Sequence, residues 1–274
     1  MALSSTQPPI AYSLLGPEGA PALVFVGGMG SVQAAWFNQV KAFSADYRVL
    51  TYDHRAIGES PIPPRAPDEP PITMADYADD LARLLDELRI ASASLVGLSF
   101  GGRVLQQLAL DQPERVDRLV LGGTSCGGVG RAAPSGVNAL RAPPLPDPEA
   151  EQARWEREIL PVLFGSRYRA QFPERMRSLA RWRARHPTDP TGLALQWTAW
   201  SSFDVCERLR FIRAPTLVLH GAEDGIAPVE HGRRLAEGIP GARLELLDGI
   251  GHSPNIEDAD GFNARVRAFL TERG

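Results

Sequence analysis

Between Ala93 and Ala109 the chain passes from a strand pattern to a helical one across five residues, Gly97-Leu98-Ser99-Phe100-Gly101. The apolar run Ala93 to Val96 reads as a buried strand. Val104, Leu105, Leu108 and Ala109 recur on one face of the helix that follows. A turn this sharp holds its serine in a strained backbone conformation. Side chains two positions to either side would collide, which glycine at 97 and 101 avoids. The hydroxyl of Ser99 is therefore predicted to stand free above a sheet edge, beside the unpaired N–H groups and positive dipole end of a helix N-terminus. Gly-x-Ser-x-Gly alone is in a minority of cases an ordinary small-residue turn; the strand before it and the helix after it give it meaning.

The same alternation runs through most of the chain. Predicted strands cover residues 10–15, 22–26, 47–52, 118–121, 214–220 and 243–247, with helical patterns between them. One of these, opened by Thr73 with Asp76 three residues on, carries a capping-box variant and a stripe of Tyr77, Leu81, Leu84, Leu85 and Leu88. Strands alternating with helices imply an α/β fold: a mostly parallel sheet with helices on both faces and ligands at the carboxyl ends of its strands. Residues 125–208 break the rhythm. A stretch rich in glycine and small residues, then a proline-rich one, lead into helical patterns at 149–164, 168–185 and 191–204. No strand pattern interrupts them. The expected organisation is a core of residues 1–124 and 209–274, with 125–208 inserted as a helical cap over the sheet's carboxyl edge.

The bulk properties narrow the function. A chain of 274 residues with 43% hydrophobic and 23% charged content can bury one large core. Its net charge of −4 argues against nucleic acid as the main partner. No apolar run approaches the length of a membrane span, and Met1 to Pro9 lack a signal-peptide pattern. The two cysteines, Cys126 and Cys206, have neither metal-ligand nor disulfide-framework spacing. They are expected to be reduced and incidental, which suits a cytoplasmic protein.

Two further strand ends hold what Ser99 needs. Asp224 follows the strand ending at His220, and His252 follows the strand ending at Leu247, in a loop flanked by glycine and proline. One helix and one strand separate them, so adjacent loops can bring them together, and the order Ser, Asp, His is the one this kind of sheet uses. Serine is a poor nucleophile until an imidazole accepts its proton, and a buried carboxylate fixes the imidazole tautomer. Glu223 and Asp248 are weaker candidates for the acid. His220 is expected to hydrogen-bond locally, and His54 to order its own loop. The oxyanion needs two backbone donors, predicted at Phe100 and, from the glycine-rich turn Gly27-Gly28-Met29-Gly30, at Met29. That turn lacks a Gly-x-Gly-x-x-Gly pattern and a Walker lysine, so no nucleotide is expected; nor is any metal or other cofactor.

The motifs Gly27-Gly28-Met29-Gly30, Asp53-His54-Arg55-Ala56-Ile57-Gly58-Glu59-Ser60, Gly97-Leu98-Ser99-Phe100-Gly101, His220-Gly221-Ala222-Glu223-Asp224 and Gly251-His252-Ser253-Pro254-Asn255-Ile256-Glu257 together make the chain resemble the α/β-hydrolase superfamily. The resemblance implies an eight-stranded sheet, a helical cap, and Ser99, Asp224 and His252 as nucleophile, acid and base. Within the superfamily the chain looks most like small carboxylesterases and 3-oxoadipate enol-lactone hydrolases. It departs at Gly27-Gly28, where many relatives have His-Gly, and at Ala56, where glycine is usual. The implied function is a cofactor-independent serine hydrolase that cleaves a carboxylic ester or lactone through an acyl-enzyme. Carbon–carbon bond hydrolysis of a diketone uses the same residues, and a ligand-sensing protein on this fold would look identical. Gly28 with Trp155, Trp182, Trp197 and Trp200 are candidate substrate contacts. Arg175, Arg177, Arg181, Arg183 and Arg185 read as a solvated helix face.

Overall fold

One sheet of eight strands, in the order β1-β2-β4-β3-β5-β6-β7-β8, runs through the computed structural model, which describes residues 1–64, 66, 68–128, 138 and 140–272. The strands are β1 Ala2–Leu3, β2 Ala11–Leu15, β3 Ala22–Val26, β4 Arg48–Tyr52, β5 Ala93–Leu98, β6 Val116–Gly122, β7 Thr216–Gly221 and β8 Arg243–Leu247. β2 pairs antiparallel with both β1 and β4, and every other pairing is parallel. β1 was not foreseen: two exposed residues carry no periodicity to read.

Alternation along the strands sorts side chains onto two faces. Val24, Val26 and Leu50 pack with Tyr77, Leu81 and Leu84 of α2 (Met74–Glu87) and Val104, Leu105 and Leu108 of α3 (Phe100–Asp111). Leu23, Phe25 and Val49 face the other way, against Phe43 of α1 (Phe37–Phe43), Trp36, and Phe262, Val266 and Phe269 of the C-terminal helix Ala259–Thr271. The capping box foreseen at Thr73 is present: its N–H donates to the Asp76 carboxylate at 2.7 Å.

Register sets the position of everything functional. Val26 pairs with Gly97, Leu98 with Gly122, Gly122 with Leu219, and Gly221 with Leu247. The carboxyl ends of β3, β5, β6, β7 and β8 are thus level, and the loops leaving them share one edge.

Between β6 and β7 the described residues form α4 Pro148–Arg154, a π-helical turn Trp155–Ile159, α5 Leu160–Leu163, α6 Ser166–Gln171, α7 Pro173–Arg185 and α8 Pro190–Ser202. The helix expected over 168–185 is split because Pro173 opens a new one: its missing N–H suits a first turn and not an interior. These helices hold their own apolar cluster of Trp155, Ile159, Leu160, Phe164, Tyr168, Met176 and Ala180. Residues 129–137 and 139, within the glycine-rich stretch, lie outside the described residues.

The cysteines overturn the expectation that they are reduced and incidental. Cys126 and Cys206 are bonded to each other, with their Cα atoms 4.9 Å apart. β6 and β7 are neighbours, so the helical segment leaves and rejoins the sheet at one place, and Val205 N–H donates to Cys126 O at 2.8 Å there. Eighty residues separate the pair in sequence, which hid the contact. The bond also removes the ground on which a reducing compartment was expected. Closing so long a loop constrains the unfolded chain by on the order of 4 kcal/mol in the chain-entropy model. Reduction, or a Cys126→Ser/Cys206→Ser double variant, should therefore lower the thermal midpoint by several degrees; calorimetry with and without dithiothreitol checks this, and an unchanged midpoint would contradict it.

Candidate active site

Ser99 sits at φ +54° and ψ −116°, the last residue before α3. A side chain at Gly97 would meet the Gly101 backbone at 2.8 Å, and one at Gly101 would stand 2.2 Å from Val26 O. The turn closes only because both are glycine. Its backbone is held from the end of β6: Ser99 N–H donates to Gly122 O (2.8 Å), and the Thr124 hydroxyl donates to Ser99 O (2.6 Å).

The residue between those two anchors, Gly123, is left-handed (φ +49°). A Cβ there would lie 3.2 Å from both Asp224 Oδ2 and His252 Nδ1. The segment that grips the serine therefore also abuts the acid and the histidine. His252 Nδ1–H donates to Asp224 Oδ2 at 2.8 Å, which leaves Nε2 as the basic nitrogen. The other carboxylate oxygen, Oδ1, accepts the N–H groups of Ile226 and Ala227, each at 2.8 Å. Asp224 and His252 are both buried. His220 lies behind the pair. Its Nε2–H donates to Ala227 O (2.7 Å), the local hydrogen bond expected of it, Nε2 lies 3.6 Å from Asp224 Oδ2, and burial pushes its pKa down.

The helical segment clamps both loops. Val162 O accepts from Gly225 N–H (3.2 Å), and Leu163 O accepts from His252 N–H (2.9 Å). Gly165 N–H donates to Glu257 (2.7 Å), whose carboxylate also takes the N–H groups of Gly251 and Ser253 on either side of His252. Burial raises the pKa of Glu257, against those hydrogen bonds. The Ser166 N–H and hydroxyl occupy Glu223, which is thereby spoken for, and Asp248 is exposed. Neither replaces Asp224.

The loop after β3 completes the site. A Cβ at Gly28 would lie 3.4 Å from Ser99 Cβ, so this backbone passes directly over the serine. Neither Met29 N–H nor Phe100 N–H has an acceptor among the described residues. The former belongs to a tight turn and the latter to the first position of a helix, where a free N–H is normal. Both are available to a developing oxyanion.

His54 anchors this loop by donating Nε2–H to Gly27 O at 3.0 Å. Its ring packs edge-on among Tyr52, Tyr77 and Phe100. Burial lowers its pKa from 6.5 to about 4. The unfolded chain therefore takes up this proton first as the pH falls, so the stability tied to His54 is complete above pH 6.5 and drains away toward pH 4. The span corresponds to about 3 kcal/mol. Urea unfolding at pH 7, 5.5 and 4.5 should show that decline, and a His54→Gln variant should show a shallower one; parallel profiles would contradict the assignment.

Ala56, where the resemblance led to the expectation of glycine, adopts φ +60°. The left-handed turn forms with alanine there, at a strain of roughly 1 kcal/mol.

The four tryptophans divide. Trp197 and Trp200 pack edge to face at 5.1 Å on α8, with Arg103 stacked 4.5 Å over Trp200. Trp155 instead donates to Glu151 (3.0 Å) and lines a cavity of about 50 Å³ among the helices, while Trp182 is 45% exposed and stacked on His186. Both take part in the helical segment's own packing. Arg175, Arg177, Arg181 and Arg185 form the foreseen solvated face; Arg183 turns inward toward Gly30 O. Among the described residues no cluster of three or more His, Cys, Asp or Glu is placed to hold a metal, and no helix is long and apolar enough to cross a membrane.

Gly123, Glu257 and the Val162–Ser166 segment escaped the sequence reading. Glu257 had one signal, its place at the end of the His252 motif; a lone glycine after a strand had none.

Comparisons with known proteins show the family to which this fold belongs. The family described as alpha/beta hydrolase fold matches residues 21–259. A protein of Agrobacterium fabrum provisionally named carbamate hydrolase RutD is 30% identical, covering 92% of this chain and 93% of its own. The 3-oxoadipate enol-lactonase 2 of Acinetobacter baylyi is also 30% identical, over 94% of this chain and 92% of its own. Among solved structures, the enol-lactonase of Burkholderia xenovorans superposes with a TM-score of 0.83 at 31% identity, covering 99% of this chain and all of that one.

Proposed function

Because the chain belongs to the α/β-hydrolase family, we propose that its site hydrolyses a carboxylic ester or lactone through an acyl-enzyme. The carrying observation is the Gly122–Thr124 segment, which fixes the Ser99 backbone on one side and abuts the Asp224–His252 pair on the other. Ser99 Oγ attacks the substrate carbonyl as His252 Nε2 takes its proton, and Asp224 stabilises the imidazolium. The N–H groups of Met29 and Phe100 receive the oxyanion. His252 then delivers the proton to the leaving oxygen, and water repeats the sequence to free the acid. A lactone differs only in that the leaving alcohol stays on the acyl chain.

The helical segment within 125–208 is the cap in this reading, with Gly28 and the Trp197–Trp200 pair facing the acyl group. The name enol-lactonase, carried by two of those relatives, supports a carbonyl substrate with an oxygen leaving group. Steady-state assays with p-nitrophenyl esters from acetate to palmitate, and with γ- and δ-lactones, test it. Turnover with a clear chain-length optimum is expected. Folded protein inert toward every member would overturn the proposal.

A further inference from the structure

Gly30 is where the helical segment grips the loop that bears Met29. Ser31 N–H closes a turn onto Gly28 O (3.1 Å), and Gly30, the third residue of that turn, has φ +62°. Met29 is not among the residues with positive φ. A positive φ at the third position alone identifies a type II turn, which differs from type I by a flip of its central peptide, here Met29–Gly30. The N–H of that peptide donates to Gln196 Oε1 at 2.8 Å. Its neighbour, Gly30 O, faces Arg183 and Thr188 at 3.4 to 3.5 Å.

Gln196 is wholly buried. It lies on α8 between Leu193, which touches the Gly30 position, and Trp200, at a spacing where a helix docked on a core presents apolar residues. Its Nε2 has no partner among the described residues. A half-satisfied buried amide is a poor packing element, so the oxygen end carries its purpose.

We propose that Gln196 is a positioning residue: by pinning the Gly30 N–H it fixes the turn in place, and with it the adjoining Gly28–Met29 peptide, whose N–H is thereby aimed at the oxyanion. The inference rests on the hydrolase reading above. Gln196→Met keeps the volume and the apolar surroundings but loses the acceptor, and Gln196→Leu does so with a different shape. Both should lower kcat by about 10- to 100-fold, as loss of aim in one oxyanion donor does. KM for the best p-nitrophenyl ester should stay within about threefold. A trifluoromethyl ketone with the same acyl chain, which forms a tetrahedral oxyanion adduct on serine, should lose affinity by the same factor as kcat/KM. Either variant, folded, with kcat and ketone affinity within twofold of the parent overturns the proposal. So does a lowered thermal midpoint or raised KM with unchanged ketone affinity, which marks a packing role. Both results leave the hydrolase reading standing, whereas that reading fails separately if the folded parent is inert.

Discussion

Ser99→Ala should leave the protein folded and its ester turnover lower by about 10⁴- to 10⁶-fold. Alanine tolerates φ +54° no worse than serine does, and the hydrogen bonds that hold the turn come from the residue 99 backbone, which the substitution keeps. The loss should therefore fall on kcat, with the thermal midpoint within a few degrees of the parent. Side-by-side kinetics and calorimetry decide it; a folded variant with near-parental turnover would mean that the nucleophile lies elsewhere.

Asp224→Asn should cost about 10⁴-fold in kcat through the histidine tautomer. The side-chain oxygen of the substituted residue is claimed by the Ile226 and Ala227 N–H groups, which meet Oδ1 in the native turn. Its amide nitrogen is then left facing His252 Nδ1, where Oδ2 stood at 2.8 Å. A donor at that place demands an unprotonated Nδ1, so the ring proton moves to Nε2 and the base is lost. Folding should be spared. A variant with parental kcat would remove Asp224 from the mechanism.

The fold was legible in the chain wherever a short-range pattern encodes it. β3 and β8 were read to the residue, since a short apolar or alternating run bounded by turn residues has little freedom in length. The Ser99 turn was legible because sterics at Gly97 and Gly101 are a local matter. Asp224 and His252 could be placed because register brings strand ends level. Contacts that join distant stretches were not legible. Nothing near Cys126 marks Cys206 as its neighbour, and nothing in the composition of α8 marks Gln196 as the partner of Gly30. The tryptophans were grouped because they share a segment, yet rotation about each helix axis decides which way a ring points. That separated Trp182 from Trp197.

The grip of the helical segment has a consequence for its movement. Its hydrogen bonds end on the loops after β3, β7 and β8 together, at Gly30, Gly225 and His252, and the disulfide fastens its two roots. Swinging such a body away as a hinged lid would break these bonds together and loosen the loops that carry Asp224 and His252.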